Sequence, residues 1–223
     1  MKTGLLGILL FLTANLALAG VPTDVLKEGD LIFHQSKSAQ SEAIREATGS
    51  PWSHVGVVIL DHNQWKVAEA IGPVVKTPIE QFIARGRGER FILRRPKNSQ
   101  AAAQVTKALA RYLGIRYDVY FEWSNDLIYC SELVWKAYHD VGADLSQPTQ
   151  FKDLHLDGPL VTKLIKDRYQ QAGKKLNLEE PIVTPVALFE SQELTTVYDS
   201  ATRGLQQPGM TWDSLFWPVL REE

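Results

Sequence analysis

Cys130 is the only cysteine among the 223 residues, and it lies where a loop runs into an amphipathic helix. The first turn of a helix offers backbone N–H groups and the positive end of the helix dipole. Both favour the thiolate, the nucleophilic form of cysteine. A single cysteine cannot form a disulfide within its own chain, so Cys130 is either a nucleophile or a buried apolar side chain. The residue type alone leaves both interpretations open.

A thiol nucleophile needs a base to accept its proton, and the chain has five histidines. His54 is the strongest candidate, because it is a titratable side chain at the start of the most apolar predicted strand. His34 ends another predicted strand and is a candidate for the wall of a substrate pocket. The other three are predicted to be surface residues: His62, His139 and His155.

Glu69 is the candidate group for orienting the base. A predicted hairpin with its turn at His62-Asn63 pairs Gly56 with Glu69. His54 and Glu69 then lie on the same face as diagonal neighbours, about 7–8 Å apart at the backbone. An unpaired carboxylate is costly to bury, so Glu69 is expected to have a partner in this apolar strand. A register shifted by one residue would put the two side chains on opposite faces. The alternative interpretation of Glu69 is that this edge of the hairpin faces water.

Helices and strands in mixed order predict an α+β fold around these residues. Strands are predicted within residues 29–34, 55–60, 65–71 and 89–94. Helices are predicted at 38–47, at 77–83 with Thr77 as the cap, at 99–113, and at 129–141 with Cys130 near its start. The chain after Ser146 is less regular, apart from a predicted helix at 160–169. It is predicted to be an extension packed on the core, not a separate domain.

The first nineteen residues have the pattern of a secretory signal, with Lys2, an apolar run at 4–12 and a small-x-small cleavage site at 17–19. We therefore expect export to the periplasm or the medium, with no membrane span after cleavage. An uncleaved membrane anchor is the alternative. The rest is predicted to form one domain, residues 20–198, which includes the extension at 146–198 and is followed by a tail at 199–223.

Charge and motif content exclude several classes of partner. The formal net charge of −2 gives no electrostatic reason to bind nucleic acid. One cysteine and scattered histidines show no metal-ligand spacing, and the sequence has no glycine-rich phosphate loop. We therefore expect neither a metal nor another cofactor, while the oligomeric state stays open.

The order His54, Glu69, Cys130 and the segments around these residues resemble a known family. The segments are Gly-Asp-Leu-Ile-Phe at 29–33, Trp-Ser-His-Val-Gly-Val-Val at 52–58 and Tyr-Cys-Ser-Glu-Leu-Val-Trp at 129–135. They are similar to the circularly permuted NlpC/P60-like cysteine hydrolases, in which the histidine strand precedes the cysteine helix. Within these the YiiX/YebB-like group is most similar. The resemblance extends over residues 27–198.

This resemblance implies a permuted papain-like fold with Cys130 as nucleophile, His54 as base and Glu69 as the third member, Glu132 being the alternative carboxylate. It implies cleavage of a peptide or cell-wall-type amide through a thioacyl-enzyme. A lipid-type acyl hydrolase or acyltransferase is the alternative, and a ligand-binding domain without catalysis is a further one. Aromatic residues before the nucleophile are candidates for the substrate groove, although an aromatic core is equally open: Tyr117, Tyr120, Trp123 and Tyr129.

Overall fold

The computed structural model describes residues 21–202. The predicted signal segment at 1–19 and most of the predicted tail lie outside these residues. Among the residues described, no helix is long and apolar enough to cross a membrane.

A six-stranded antiparallel sheet forms the centre of the fold. Its strands are β1 (Leu31–Ser36), β2 (His54–Asp61), β3 (Gln64–Ala70), β4 (Val74–Pro78), β5 (Gly86–Pro96) and β10 (Leu194–Asp199). They lie in the order β10-β5-β1-β2-β3-β4. Two short two-stranded sheets flank it: parallel β6 (Arg116–Tyr117) and β7 (Leu127–Ile128), and antiparallel β8 (Thr149–Gln150) and β9 (Pro181–Ile182).

Six α-helices accompany these strands within the described range. They are α1 (Ala39–Thr48), α2 (Ile79–Ala84), α3 (Ser99–Leu109), α4 (Cys130–His139), α5 (Pro159–Ile165) and α6 (Pro185–Phe189). A 3₁₀ turn covers Phe151–Asp153, and a π-helical turn continues α5 over Lys166–Gln170.

Both faces of the central strands are covered, which explains why β2 is apolar at nearly every position. Val57 and Ile59 of β2 pack with residues of α3 and α4 in the main core. Val58, on the opposite face, packs with Phe82 of α2 in a second cluster. Different helices therefore cover the two faces of the sheet: α4 packs on one, and α2 packs on the other.

The hairpin of β2 and β3 has the predicted register. Val58 pairs with Val67, and Asp61 pairs with Gln64 across the turn. His62 and Asn63 have φ angles of 52° and 59°, as the tight turn between two antiparallel strands requires. The prediction that His54 and Glu69 share a face depended on this register, and the structure has it.

Several element boundaries differ from the sequence predictions. Thr77 does not cap a helix, because it lies in β4, a strand that the sequence pattern did not indicate. Helix α3 ends at Leu109 and not at Leu113. The helix predicted to begin at Leu160 leaves α-geometry after Ile165. Pairing of β4 with β3 overrides the local helix preference at Thr77. After Leu109 the N–H groups of Ala110 and Arg111 donate to carbonyls three residues back, which is turn geometry.

The chain after Ser146 packs on the core over much of its length. Helix α5 packs against α1, and the carboxylate of Glu46 accepts hydrogen bonds from the N–H groups of Leu160 and Val161 at the start of α5. At the end of the described chain, β10 pairs with β5 and becomes an edge strand of the central sheet.

Candidate active site

Helix α4 begins at Cys130, so the thiol lies in the first helical turn. The preceding residue, Tyr129, is the N-cap, and its N–H donates to the carboxylate of Glu132 at 3.3 Å. The hydroxyl of Tyr129 accepts a hydrogen bond from the N–H of Val183, which fixes the start of the helix against the extension. The thiol is buried, with 2% of Cys130 exposed.

His54 opens β2, and its imidazole lies close enough to the thiol of Cys130 for each to shift the pKa of the other. Burial opposes ionisation of the thiol, but the positive charge and hydrogen bond of His54 outweigh it and lower the pKa of Cys130. Backbone groups of Val55 and Ser131 also favour the thiolate. Burial likewise opposes a charged His54, yet Cys130 and Glu69 raise the pKa of His54 from 6.5 to about 9. These directions describe a thiolate–imidazolium pair.

Glu69 completes the arrangement on the neighbouring strand. Its Oε2 lies 2.7 Å from Nε2 of His54, which leaves Nδ1 of the imidazole to face the thiol. The carboxylate is fully buried. Burial raises the pKa of Glu69, but hydrogen bonds from His54 and Thr77 and the charge of Arg85 outweigh this and lower the pKa.

His34 lies in a different environment from the one expected. It is completely buried, so its side chain does not line a substrate pocket in this conformation. Its ring stacks on Phe82 with centroids 4.3 Å apart and lies 5.2 Å from the ring of His54. The sequence made His34 a candidate for the pocket wall, but it could not show that α2 covers this face.

The four aromatic candidates divide among different places. Tyr129 lines a cavity beside Cys130. The hydroxyl of Tyr117 accepts from the amide of Gln40 at 2.7 Å, and Tyr117 is close enough to Cys130 for the thiolate to affect its pKa. Tyr120 packs edge-on against Tyr169, 5.4 Å away. Trp123 borders a separate shallow groove.

Glu132, the alternative carboxylate, has other partners in the structure. It is fully buried and lies 2.8 Å from the ammonium group of Lys136, one turn along α4. Lys136 also donates hydrogen bonds to the carbonyl of Ser124 and to Asn125, 3.1 Å away. Glu132 therefore belongs to a buried ion pair that holds the loop before Cys130.

An almost entirely apolar cavity of about 70 Å³, partly open to solvent, adjoins Cys130. Helix α1, helix α5 with its π-helical turn, and the loops before α4 and after β8 form its walls. Arg168 closes one side, donating to the carbonyl of Val119 at 2.6 Å while its guanidinium lies over Phe121. The main apolar lining residues are Ala43, Ala47, Phe121, Val161, Leu164 and Ile182.

Sequence reasoning missed the residues that surround the predicted set. Arg85 and Thr77 contact Glu69, and Phe82 stacks against His54. Helix α2 brings Arg85 and Phe82 to the site, and the pairing of β4 with β3 brings Thr77. Gln40 and Arg168 likewise come from helices that meet only in the folded chain. No local motif marks these residues.

The antiparallel sheet, the helix that begins at Cys130 and the order of these elements along the chain define a permuted papain-like fold of the α+β class. The chain belongs to the permuted papain-like amidase family, YaeF/YiiX, C92, whose family model matches residues 25–198. Membership supports a cysteine amidase or peptidase in general terms.

Two relatives illustrate the similarity. The chain is 40% identical over 173 residues to the uncharacterized protein YiiX of Escherichia coli strain K12, covering 76% of this chain and 84% of that protein. The crystal structure of YiiX from Escherichia coli O157:H7 has a TM-score of 0.73 and 40% identity. This match covers 78% of this chain and 97% of the other.

That crystal structure is described as one of a metalloprotein. In residues 21–202 of the present chain, no group of three or more His, Cys, Asp or Glu side chains is arranged to hold a metal ion. Around the thiol, both carboxylate oxygens of Glu69 are occupied by His54 and Arg85. These donors do not fit a metal site.

Proposed function

We propose that the protein is a cysteine hydrolase that cleaves an amide bond through Cys130, His54 and Glu69. One observation carries the proposal: the imidazole of His54 hydrogen-bonds a buried carboxylate, Glu69, at 2.7 Å, and its charge lowers the pKa of the Cys130 thiol at a helix start. A nucleophile, its base and the group that orients the base are the three parts that thiol catalysis needs.

The proposed reaction begins from the thiolate–imidazolium pair. The sulfur of Cys130 attacks the carbonyl carbon, and the electron pair of the carbonyl moves to its oxygen. When this intermediate collapses, the C–N bond breaks and the imidazolium of His54 gives its proton to the leaving nitrogen. Water then loses a proton to His54 and attacks the thioester, which releases the acid and restores the thiolate.

The oxyanion of each tetrahedral intermediate needs hydrogen-bond donors. The backbone N–H of Cys130 is one, because the first N–H groups of a helix have no partner within it. The second donor in this proposal is the hydroxyl of Tyr117. Burial raises the pKa of Tyr117, and the thiolate of Cys130 raises it further, so the hydroxyl keeps its proton. Gln40 donates to the phenol oxygen and leaves that proton free.

Alkylation of the single thiol by iodoacetamide, followed from pH 5 to 10, tests the proposal without a known substrate. The wild type is expected to react well below the free-thiol pKa of about 8.5, and His54→Ala is expected to lose this reactivity. Slow alkylation of both proteins would leave the non-catalytic binding domain as the better interpretation. In a screen of acyl p-nitroanilides, Cys130→Ala should fold and show no turnover.

The cavity beside Cys130 favours one class of amide within this proposal, namely one whose acyl part is a hydrocarbon chain. A peptide or cell-wall substrate would bring polar backbone groups, which these apolar walls could not satisfy. Each methylene buried there contributes about 0.8 kcal/mol. The lipid-type acyl alternative is therefore supported by the shape and chemistry of the site.

Two adjacent residues of α5 give a matched test of chain-length preference. Val161 is buried and lines the cavity, whereas Leu160 is 46% exposed and does not. Val161→Phe is expected to lower kcat/KM for a dodecanoyl anilide at least tenfold while sparing the acetyl compound. Leu160→Phe should change neither. Equal rates for both acyl lengths in the wild type would favour the peptide-type amide.

Export is a separate part of the proposal and rests on the sequence pattern of residues 1–19. N-terminal sequencing of protein released from the periplasm is expected to begin at Gly20. A chain that retains Met1 and sediments with membranes would indicate the anchored form.

A further inference from the structure

We propose that Arg85 is a positioning residue of this site: its guanidinium fixes the Glu69 carboxylate towards His54, and activation of the thiol depends on it. The inference rests on the proposed roles of Cys130 and His54. It adds a residue that neither the sequence motifs nor the family membership indicates.

The two oxygens of Glu69 are divided between two partners. Oε2 lies 2.7 Å from Nε2 of His54, and Oε1 accepts a hydrogen bond from Nη2 of Arg85. A carboxylate held at one oxygen can rotate about its last bond, whereas one held at both is fixed in plane and direction. Arg85 therefore determines how Glu69 presents its other oxygen to the imidazole.

Arg85 is itself held in place by the end of α2. It is the C-cap residue, its N–H donates to the carbonyl of Phe82, and its own carbonyl accepts from Lys37. The guanidinium lies 5.8 Å from the centre of the Phe82 ring, and that same ring stacks against His54, 5.5 Å away. Arg85 and His54 thus pack around one aromatic ring.

Charge gives the contact a second function. The carboxylate of Glu69 is fully buried, and an isolated buried carboxylate would favour its neutral form. Facing it are His54 from β2, Thr77 from β4 and Arg85 from the end of α2. Of these, only Arg85 carries a positive charge that does not depend on the state of the catalytic pair.

The groups around the imidazole show what depends on this charge. His54 meets Cys130 from α4, Glu69 from β3 and the neutral ring of His34 from β1. If Glu69 loses its negative charge or turns away, the imidazolium loses its stabilising carboxylate. The proton then returns to the sulfur, so the thiolate forms only at higher pH.

The experiment is the pH profile of Cys130 alkylation by iodoacetamide in wild type, Arg85→Gln, Arg85→Lys and Arg87→Gln. Arg87 is the matched control, since it lies two residues away and pairs with Glu42 of α1, not with Glu69. Arg85→Met provides a second neutral variant, because its unbranched side chain keeps the packing on Phe82 if Arg85→Gln does not fold. Circular dichroism checks the fold of each protein.

The midpoint of the profile is expected to rise by about one pH unit in Arg85→Gln, which makes alkylation about tenfold slower on the acid side. Arg85→Lys should recover part of this loss, because it restores charge without the planar fork. Arg87→Gln should match the wild type. A structural role alone would lower the melting temperature and leave the profile in place.

A profile of folded Arg85→Gln or Arg85→Met that coincides with those of the wild type and Arg87→Gln would overturn the inference. The proposed function fails in a different way, since a wild-type thiol that reacts only near pH 8.5 would show that no activated pair exists. The two failures are therefore distinguished by the wild-type curve.

Discussion

His34 and His54 lie directly opposite each other on β1 and β2, with ring centroids 5.2 Å apart, yet they differ in protonation. Cys130 and Glu69 outweigh burial and raise the pKa of His54 to about 9. Burial, and then the positive charge of His54, lower the pKa of His34 to about 2. Neighbouring carboxylate and thiolate groups, not burial itself, decide which of two packed imidazoles carries a proton.

The buried His34 predicts a loss of stability in acid. The unfolded chain binds a proton at His34 below about pH 6.5, whereas the folded chain does not until about pH 2. The contribution of His34 to the free energy of unfolding therefore falls by about 1.4 kcal/mol for each pH unit below 6.5. His34→Phe keeps the stacking on Phe82 and should remove this slope.

Urea unfolding from pH 4 to 7.5 measures the effect, with the exposed His155→Phe as the control. Neither ring nitrogen of His34 has a hydrogen-bond partner of normal geometry among the described residues, so its replacement by Phe leaves no buried partner unpaired. Parallel slopes in wild type and His34→Phe would contradict the prediction.

A second prediction separates the two buried carboxylates near the thiol. Glu69→Gln keeps the shape of the side chain but removes the charge that supports the imidazolium, so kcat/KM should fall by about 10²-fold or more. Glu132→Gln changes a carboxylate of equal burial that contacts Lys136 and not His54. It should keep at least a third of the activity. Comparable losses of kcat/KM in both variants would contradict the prediction that only Glu69 supports the imidazolium of His54.

Glu132 predicts a pH dependence of its own. Burial raises the pKa of Glu132 to about 7, against a smaller opposing effect of Lys136. Between pH 4.5 and 7 the unfolded chain releases this proton and the folded chain keeps it, so stability contributed by Glu132 is lost as pH rises through this window. The loss is on the order of 1–3 kcal/mol.

Guanidinium unfolding at pH 5 and pH 8 checks this dependence. The difference in free energy of unfolding between the two values should change in Glu132→Gln by about the amount that the wild-type side chain contributes. Because the variant is compared with the wild type at each pH, the contributions of His34, His54 and Cys130 cancel. No change in the difference would mean that Glu132 is ionised at both pH values.

Gly56 provides a test of the hairpin that carries His54 and Glu69. A Cβ atom there would lie 2.4 Å from Cγ1 of Val67 and 2.9 Å from the carbonyl oxygen of Ala68. Gly56→Ala must move β2 away from β3, at a cost of about 1–3 kcal/mol, and should weaken the contact between His54 and Glu69. Thermal unfolding and the alkylation profile together measure both effects.

Gly72→Ala is the control for this change, because nothing lies within 4 Å of a Cβ built on Gly72. It should unfold at the wild-type temperature and react with iodoacetamide at the wild-type rate. A Gly56→Ala protein that behaves like Gly72→Ala would show that the hairpin absorbs the extra methyl group without moving.

The parts of the site that sequence could predict are those built from local geometry. The two-residue turn determines the pairing of β2 with β3, and alternation then places His54 and Glu69 on one face. The contact of Arg85 with Glu69 could not be predicted from the sequence, because it depends on where α2 packs against β3 and β5. The covering of His34 by Phe82 has the same origin, since packing between distant elements leaves no period in the sequence.

The separation of these contacts along the chain also orders their formation. His54 and Glu69 are fifteen residues apart across a tight turn, and a hairpin of this kind closes in about 1–10 μs. Cys130 meets His54 only when α4 docks on β2, a contact between distant parts of the chain that forms later. Until then neither the imidazole of His54 nor the backbone of Val55 lies beside the sulfur. The pKa of the thiol is then expected to be that of an ordinary free cysteine. Late docking of α4 therefore keeps Cys130 and His54 apart until the fold is complete.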